Sequence, residues 1–316
     1  MTGRTLTDNG VASAPPGVGA WDAELAFAID LAREAGAILM DRYERLERID
    51  YKTARDVVTE ADHQSEELVI AAIHRRFPAD AILAEESGAH PAPGDAASSG
   101  MPASGDGASP SGDGALPSGD AVATSGAPET PAAASSRTWV IDPLDGTVNY
   151  ANGLPLFCVS IGLVVGEQPT VGVVLDPTRA ETFAATADGP TTLNGRAIRN
   201  PDRELSDYVI SLALAGRSVV TRARALRRQI RVSRDMGSAA LGLAYVANGR
   251  FDAFVQQGGL SAWDLAAAGL IAERAGATVT AMDGSRWYDP ARPPRAGTIV
   301  AAPPRFHARI RELAAG

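Results

Sequence analysis

Between about His90 and Ser136 the chain changes abruptly into Ala, Gly, Ser and Pro, and Ser104-Gly105-Asp106-Gly107-Ala108 returns as Ser111-Gly112-Asp113-Gly114-Ala115. Met101, Leu116 and Val122 are the only larger apolar residues there, too few to offset the entropy of ordering such a segment. This stretch predicts a disordered surface insertion; a partner-docking segment is the alternative. Residues from Met1 to Ala20, with one Arg and much Gly, Ala, Pro and Thr, predict a floppy tail without the apolar core of a signal peptide. Any core must therefore come from the flanks of the insertion.

The flanks carry clear periodicities. Leu25, Ile29, Ala32, Ala35 and Leu39 recur three or four apart and predict a helix from Trp21 to about Leu46. Leu68, Val69, Ala72, Ile73 and Phe77 predict a second helix following Asp62, which lies near its N-cap, with Pro78 as the stop. Ala81 to Ala84 and Thr138 to Ile141 read as strands. Val159 to Val165, Thr170 to Leu175 and Glu181 to Ala185, punctuated by Gly166, Pro169 and Asp176-Pro177, read as an antiparallel meander.

Beyond Asn200 strands Val209 to Leu214, Ala253 to Gln256 and Thr298 to Ala302 alternate with helices Val219 to Gln229, about Gly237 to Asn248, and Ser261 to Ala275. That alternation predicts a second, more parallel sheet. The expected organisation is a tail over 1–20, an N-terminal α+β domain over 21–200 holding the insertion, and a C-terminal α/β domain over 201–316.

Composition excludes several classes. With 38 acidic and 29 basic side chains the net charge is -9, which argues against a general nucleic-acid binder. No run of about 18 apolar residues occurs, so no membrane span is expected. Cys158 is the single cysteine, which rules out an intrachain disulfide and a Cys-based zinc site, and points to a reducing, cytoplasmic setting. The four His residues show no metal-ligand spacing.

Chemistry concentrates in carboxylates. In Trp139-Val140-Ile141-Asp142-Pro143-Leu144-Asp145-Gly146-Thr147 a hydrophobic strand runs into two acids three apart. Pro143 fixes the backbone and Gly146 permits a close turn, so Asp142, Asp145 and the Leu144 carbonyl can share one cavity. Taken alone, Asp142 and Asp145 read equally well as turn residues. Glu85-Glu86 also follows a strand-like run, however, and Trp263-Asp264 opens a helix after another strand. Three separated segments thus each deliver an acid at an element's end, and oxygen ligands of this kind suit Mg²⁺.

Together with Asp56-Val57-Val58-Thr59-Glu60-Ala61-Asp62 and Gly237-Ser238-Ala239-Ala240, these motifs resemble the inositol monophosphatase family of lithium-sensitive, magnesium-dependent phosphomonoesterases. The resemblance spans nearly the whole ordered chain. It implies an α+β fold, the layered α-β-α-β-α sandwich of the inositol monophosphatase and fructose-bisphosphatase type, and a homodimer. It implies two or three Mg²⁺ ions held by Glu85, Asp142, Asp145, Asp264 and the Leu144 carbonyl, with Asp62 in or near the outer shell. Thr147, working with Glu85, would orient and deprotonate a metal-bound water, while amides around Gly146 and Thr147 hold phosphate. Asp145, Gly237, Ser238, Ala239 and Gln257 would contact the substrate.

Two departures stand out. Seven residues before the Trp-Asp acid the family often has Glu, whereas this chain has Gln257, which bears on substrate preference. The insertion falls between Glu85 and Asp142, where relatives have a short connection. Lys52 lies in a segment resembling the family's mobile loop, and Asp56 and Thr59 read as structural supports. The implied activity is hydrolysis of a small phosphate ester such as an inositol monophosphate. Histidinol-phosphate, sugar-bisphosphate and 3′-phosphoadenosine phosphatases stay open, as do a non-catalytic regulatory or binding module on the same scaffold and a structural Mg²⁺ or Ca²⁺ protein.

Overall fold

The computed structural model describes residues 19–45, 49–53, 56–93 and 136–316, excluding the side chains of 49–53, 56 and 57. The expected tail and insertion, apart from residues 19–20, 90–93 and 136, fall outside the described residues, as do the side chains of Lys52 and Asp56.

In chain order the first elements are α1 (Asp22–Arg42), the hairpin β1 (Ile49–Thr53) and β2 (Asp56–Thr59), α2 (Glu60–Arg76), β3 (Ala81–Ala84) and β4 (Gly88–His90). The face of α1 that goes inside is Ala28, Leu31, Ala32, Ala35 and Leu39. That helix ends at Arg42, short of the expected Leu46, because Tyr43 turns extended and Glu44 takes a left-handed φ of 61°. Helix α2 starts two residues before Asp62. Thr59 is the N-cap, its hydroxyl accepting from the Ala61 amide at 3.2 Å, and Asp62 answers from the third helical position by accepting from the Thr59 amide at 2.8 Å.

Next come β5 (Arg137–Asp145), the single turn α3 (Thr147–Ala151), and the meander β6 (Cys158–Val165), β7 (Gln168–Asp176) and β8 (Glu181–Thr186), closed by the short β9 (Thr192–Leu193) and β10 (Arg196–Ala197). These strands form one sheet in the order β10-β9-β8-β7-β6-β5-β3-β4, antiparallel except where β3 runs parallel to β5. The meander follows the expected spans closely.

Beyond residue 200 lie β11 (Val209–Ala213), α4 (Val219–Arg227), β12 (Val232–Arg234), α5 (Ala239–Ala247), β13 (Ala253–Leu260), α6 (Ala262–Arg274), β14 (Thr278–Thr280), β15 (Gly297–Ala302) and α7 (Pro304–Ala315). The second sheet, ordered β12-β11-β13-β15-β14, is less parallel than the β/α alternation suggests: β11 pairs in parallel with β12 and β13, but β15 is antiparallel to β13 and β14. The reason is the link from β14 to β15, which has no helix. A loop without a crossover returns the chain antiparallel, so β15 slots between the two ends of the β13–α6–β14 crossover. Helix α5 is also shorter than expected, because Gly237 and Ser238 form the turn that enters it.

Three cores stack the layers. Leu39 and Val69 from α1 and α2 cover one face of the large sheet at Ile141 and Ile161. Between the sheets, α5 and α6 pack Leu243 and Ile271 against Val174 and Phe183 on one side and Phe254 and Ile299 on the other. Leu226 and Ile310 of α4 and α7 cover the outer face of the small sheet at Ile210 and Val255. The result is the α-β-α-β-α sandwich. Its central approach is tight: Gly162 and Gly172 are paired across β6 and β7, and a Cβ on Gly172 would lie 2.6 Å from the Ala267 carbonyl oxygen. Those two missing side chains let α6, and with it Asp264, press onto the sheet that carries Asp142 and Asp145. Among the described residues no helix is long and apolar enough to cross a membrane.

Candidate metal centre

A regular strand would turn Asp142 and Asp145, three residues apart, to opposite faces. Their pairing with β6 shows why it does not. Asp142 is opposite Ser160 and Asp145 opposite Cys158, so three steps on β5 match two on β6. The extra residue is a bulge at Pro143-Leu144, and it swings both carboxylates to the same side.

Glu85 reaches them through the parallel ladder: Ala84 pairs with Ile141, and the Glu85 amide donates to the Ile141 carbonyl at 3.2 Å. The Glu85 side chain comes close enough to Asp142 for its charge to act on that carboxyl. Behind the turn, the buried Glu66 carboxylate accepts from the amides of Glu86 at 2.9 Å and Ser87 at 2.8 Å, fixing it in place.

The last acid arrives on a helix. Ser261 caps α6 and Asp264, at the third helical position, accepts from its amide at 2.5 Å, the same reciprocal arrangement that holds Asp62 on α2. In both places the positive end of a helix tolerates the carboxylate. One ligand oxygen each from Asp142, Asp145 and Asp264 lies within 4.8 Å of the others, and among the described residues this is the only group of three or more acid, His or Cys side chains so arranged.

Electrostatics shows the strain of this cluster. Burial, then the charges of Glu85, Asp145 and Asp264, pushes the Asp142 carboxyl well above its usual range. Asp264 is raised likewise by burial and Asp145, with Arg295 offsetting only part. Asp145 is raised by burial but opposed by hydrogen bonds, for it sits against the start of α5 and accepts from Ser238 Oγ at 2.6 Å and the Ala240 amide at 2.7 Å. Burial raises Asp62 to about 6 against hydrogen bonds from Thr59. Carboxylates about 4 Å apart repel by about 4 kcal/mol per pair at an effective dielectric of 20. A divalent cation removes that penalty, and an all-oxygen donor set fits a hard ion.

Around the acids, Thr147 Oγ1 lies 3.3 Å from Asp62 Oδ1 and 3.0 Å from the Leu144 carbonyl oxygen. Gly146 has φ 93°, and a Cβ there would lie 2.8 Å from the Leu156 carbonyl oxygen. Asn149, which the sequence did not single out, joins the elements by donating to the carbonyls of Leu156 at 2.7 Å and Met236 at 2.8 Å. A cavity of about 260 Å³ opens beside the cluster, lined by Asp145, Gly237, Ser238, Ala239 and Asp264 together with Asp235, Ser211 and Gln256. Cys158 is buried 3.7 Å from Asp145 Oδ2; burial and the Asp145 charge push its thiol well up, so it stays protonated.

Gln257 is not among the lining residues. It shares the strand face of Val255, towards α4 and α7, where its Oε1 accepts from Arg222 Nη1 at 2.6 Å. Its neighbour Gln256 lies on the face of Phe254 and lines the cavity instead. Counting back from Asp264 reaches Gln257, whereas Gln256 lines this cavity; between Gln257 and Leu260 β13 loses register, where Gly258 and Gly259 both take positive φ. Alternation from Phe254, counted forward along the strand, reaches Gln256 on the cavity side.

Comparison with known proteins agrees with this architecture. Residues 21–315 match the Inositol monophosphatase family. A protein of Pseudomonas aeruginosa named Nus factor SuhB is 34% identical over 275 residues, covering 84% of this chain and 87% of the relative. The inositol-1-monophosphatase of a Synechocystis strain is 34% identical over 267 residues, covering 82% and 79%. Among solved structures, extragenic suppressor protein suhB from Bartonella henselae superposes with a TM-score of 0.74 at 25% identity, covering 92% of this chain and 98% of that one. The Thermotoga maritima IMPase gives 0.70 at 27%, covering 93% and 97%. With the layers, the acid cluster and this match in agreement, the chain belongs to the inositol monophosphatase family.

Proposed function

We propose that this protein is a Mg²⁺-dependent phosphomonoesterase acting on inositol monophosphate or a similar small polyol phosphate. The carrying observation is the convergence of Asp142, Asp145 and Asp264 within 4.8 Å, buried and mutually repelling, in a family whose members include inositol monophosphatases. These three acids, with Glu85 and the Leu144 carbonyl, are the proposed ligands of two or three Mg²⁺ ions. The ions, when bound, supply the Lewis acidity that neutralises phosphate charge and acidifies water.

The chain's own residues do the rest. Thr147, donating its proton to Asp62, turns its oxygen lone pairs outward to accept from and orient the attacking water. Glu85, whose charge acts on Asp142 beside it, takes up the proton in this reading. Amides of Gly146 and Thr147 receive the phosphate, and Gly237, Ser238 and Ala239 border the alcohol portion. Gln256 takes the hydroxyl-contacting part that Gln257 had been expected to play. Placement and charge neutralisation suffice for phosphoryl transfer, so no covalent nucleophile is invoked.

We read 21–200 and 201–316 as two regions built around the two sheets, the molecule as a homodimer, and the setting as cytoplasmic. A second reading, a regulatory module on the same scaffold, is favoured by the name of the Pseudomonas relative, Nus factor SuhB. Steady-state phosphate release with Mg²⁺ from inositol, histidinol, sugar and 3′-phosphoadenosine phosphates tests both. Highest kcat/KM on inositol phosphate supports the first reading, hydrolysis of the adenosine compound alone removes the polyol assignment, and no release from any, with Mg²⁺ bound, leaves the second.

A further inference from the structure

Charge on this chain is segregated. Between Ala215 and Arg234 it carries seven arginines and no Asp or Glu, in a protein of net charge -9. One of the seven, Arg222, is buried; the other six are exposed on and around α4. Elsewhere several arginines are ion-paired, Arg137 with Asp80 and Glu24, Arg179 with Asp176, Arg203 with Asp252, Arg305 with Glu204. On this surface Arg231 pairs with Asp207, but Arg217, Arg224 and Arg228 have no ion pair among the described residues. An ordinary solvated face of an acidic protein intersperses the signs; this one does not.

The unpaired cations are ordered along one side of the helix. Val220, Arg224, Arg227 and Arg228 follow the spacing of a single α-helical face and, with Val219 and Ala223, line an open groove of about 460 Å³. Val220 is 73% exposed, the most exposed large apolar side chain among the described residues. The buried side of α4 is anchored by Leu226 against the small sheet, and Arg309 of α7 reaches Gln229 at 3.3 Å, so the face is held rigidly. No aromatic residue stands on it for bases to stack upon, and one valine is too little apolar surface to enter a bilayer. Arginine forks bind carboxylates in pairs, and Val219, Val220 and Ala223 call for apolar partners between them.

We propose that the α4 face is a docking site for an acidic amphipathic protein segment, one presenting carboxylates three or four residues apart around an apolar residue that covers Val220. Charge complementarity selects such a partner, and the spacing of Arg224 and Arg228 by one helical turn sets its register. The site lies on the outer layer and uses none of the acids of the metal centre, so docking and phosphate release are separable.

A fluorescein-labelled helical peptide of repeating Glu and Leu, titrated by anisotropy into the whole protein, provides the test. Binding should weaken roughly tenfold in the double variant Arg224→Glu/Arg228→Glu, the size expected when two exposed pairs become repulsions. It should fall with added salt, and survive Arg33→Glu, a surface control on α1. Phosphate release should be the same in all three proteins. Equal binding by the double variant overturns the proposal. So does tighter binding of a duplex RNA or of phosphatidylserine vesicles than of the peptide, or a light-scattering mass showing that the face joins two copies of this chain and dissociates in the variant.

Discussion

Thr147 Oγ1 stands 3.3 Å from Asp62 Oδ1, which joins the turn after β5 to the third residue of α2. The other Asp62 oxygen is already engaged by the amide of Thr59 at 2.8 Å and its hydroxyl at 2.6 Å. Asp62 therefore cannot swing, and its remaining lone pairs face the threonine. When Thr147 donates to Asp62, its own lone pairs are left for a water.

From this contact, Thr147→Ala should lower kcat about 100-fold, within the range for a positioned acid–base group. Thr147→Ser should retain most activity. Mg²⁺ affinity by calorimetry should be nearly the same in both, since the hydroxyl is proposed to act on water; a parallel loss of Mg²⁺ binding in Thr147→Ala would assign the side chain to the metals instead.

Asp142→Asn and Asp264→Asn should each abolish most turnover and weaken Mg²⁺ binding while the protein stays folded, because each removes the charge of a proposed ligand and keeps its shape. Asp145 should behave differently. It also receives hydrogen bonds from Ser238 and Ala240 at the start of α5, so Asp145→Ala should cost about 1–2 kcal/mol of stability in urea melts, the effect of losing a helix cap.

The raised carboxyls also fix the pH dependence of the metal-free protein. Their folded-state values lie above the ordinary 3.8, to about 6 for Asp62 and upward for Asp142 and Asp264. A carboxyl raised by folding contributes stability that is fully present below its unfolded value and is lost as pH rises through the folded one. In EDTA, Tm should therefore decline from about pH 6 towards 8, and Mg²⁺ added at pH 8 should restore it. Asp142→Asn should match wild type at acid pH and exceed it at pH 8 in EDTA; a lower Tm there would contradict the cost assigned to the buried charge.

Much of this was legible beforehand, for physical reasons that differ by element. The meander announced itself through Gly166, Pro169 and Asp176-Pro177 between β-branched runs, and the acids through their position at the ends of apolar strands. The bulge between Asp142 and Asp145 was only hinted at by Pro143, since a register slip depends on the partner strand and not on the strand itself. For the same reason spacing from Asp264 points to Gln257, while Gln256 is the glutamine that lines the cavity. The antiparallel insertion of β15 was hidden because periodicity reports the face of a strand, not its direction. Helix α7 was missed, although Phe306, Ile310 and Leu313 have helical spacing on one face.

The attachment points of the insertion yield a further expectation. Ile82 is paired on one side with His90 and on the other with Trp139, so the chain leaves and rejoins the sheet across a single strand, about 10 Å apart. A few residues span that gap, and loop length costs entropy only logarithmically. Replacing residues 94–135 by a short Gly-Ser bridge should leave Tm and Mg²⁺-dependent phosphate release almost unchanged. Both attachment points lie at the end of β3 remote from Glu85, so a selective loss of activity in a well-folded deletion would have to arise from the segment itself.

Substrate preference should separate the two glutamines. Gln256 lines the cavity with Asp145 and Asp264, and its side chain both donates and accepts, as vicinal hydroxyls require. Gln256→Ala should reduce kcat/KM for inositol phosphate by about 1–3 kcal/mol in transition-state binding and spare simple alcohol phosphates. Gln257 answers instead to Arg222, a buried guanidinium whose Nη1 contacts Gln257 Oε1 at 2.6 Å and the Ala314 carbonyl at 2.7 Å, and whose Nε has no partner. No carboxylate is ion-paired with it among the described residues. Gln257→Glu would set a negative charge beside that cation and should leave selectivity between inositol and histidinol phosphates untouched while raising the urea midpoint. Gln257→Ala, which removes an acceptor from a buried charge, should lower the unfolding free energy by about 1–3 kcal/mol. A selectivity change in Gln257→Glu without a shift in stability would return that residue to the substrate and take Gln256 away from it.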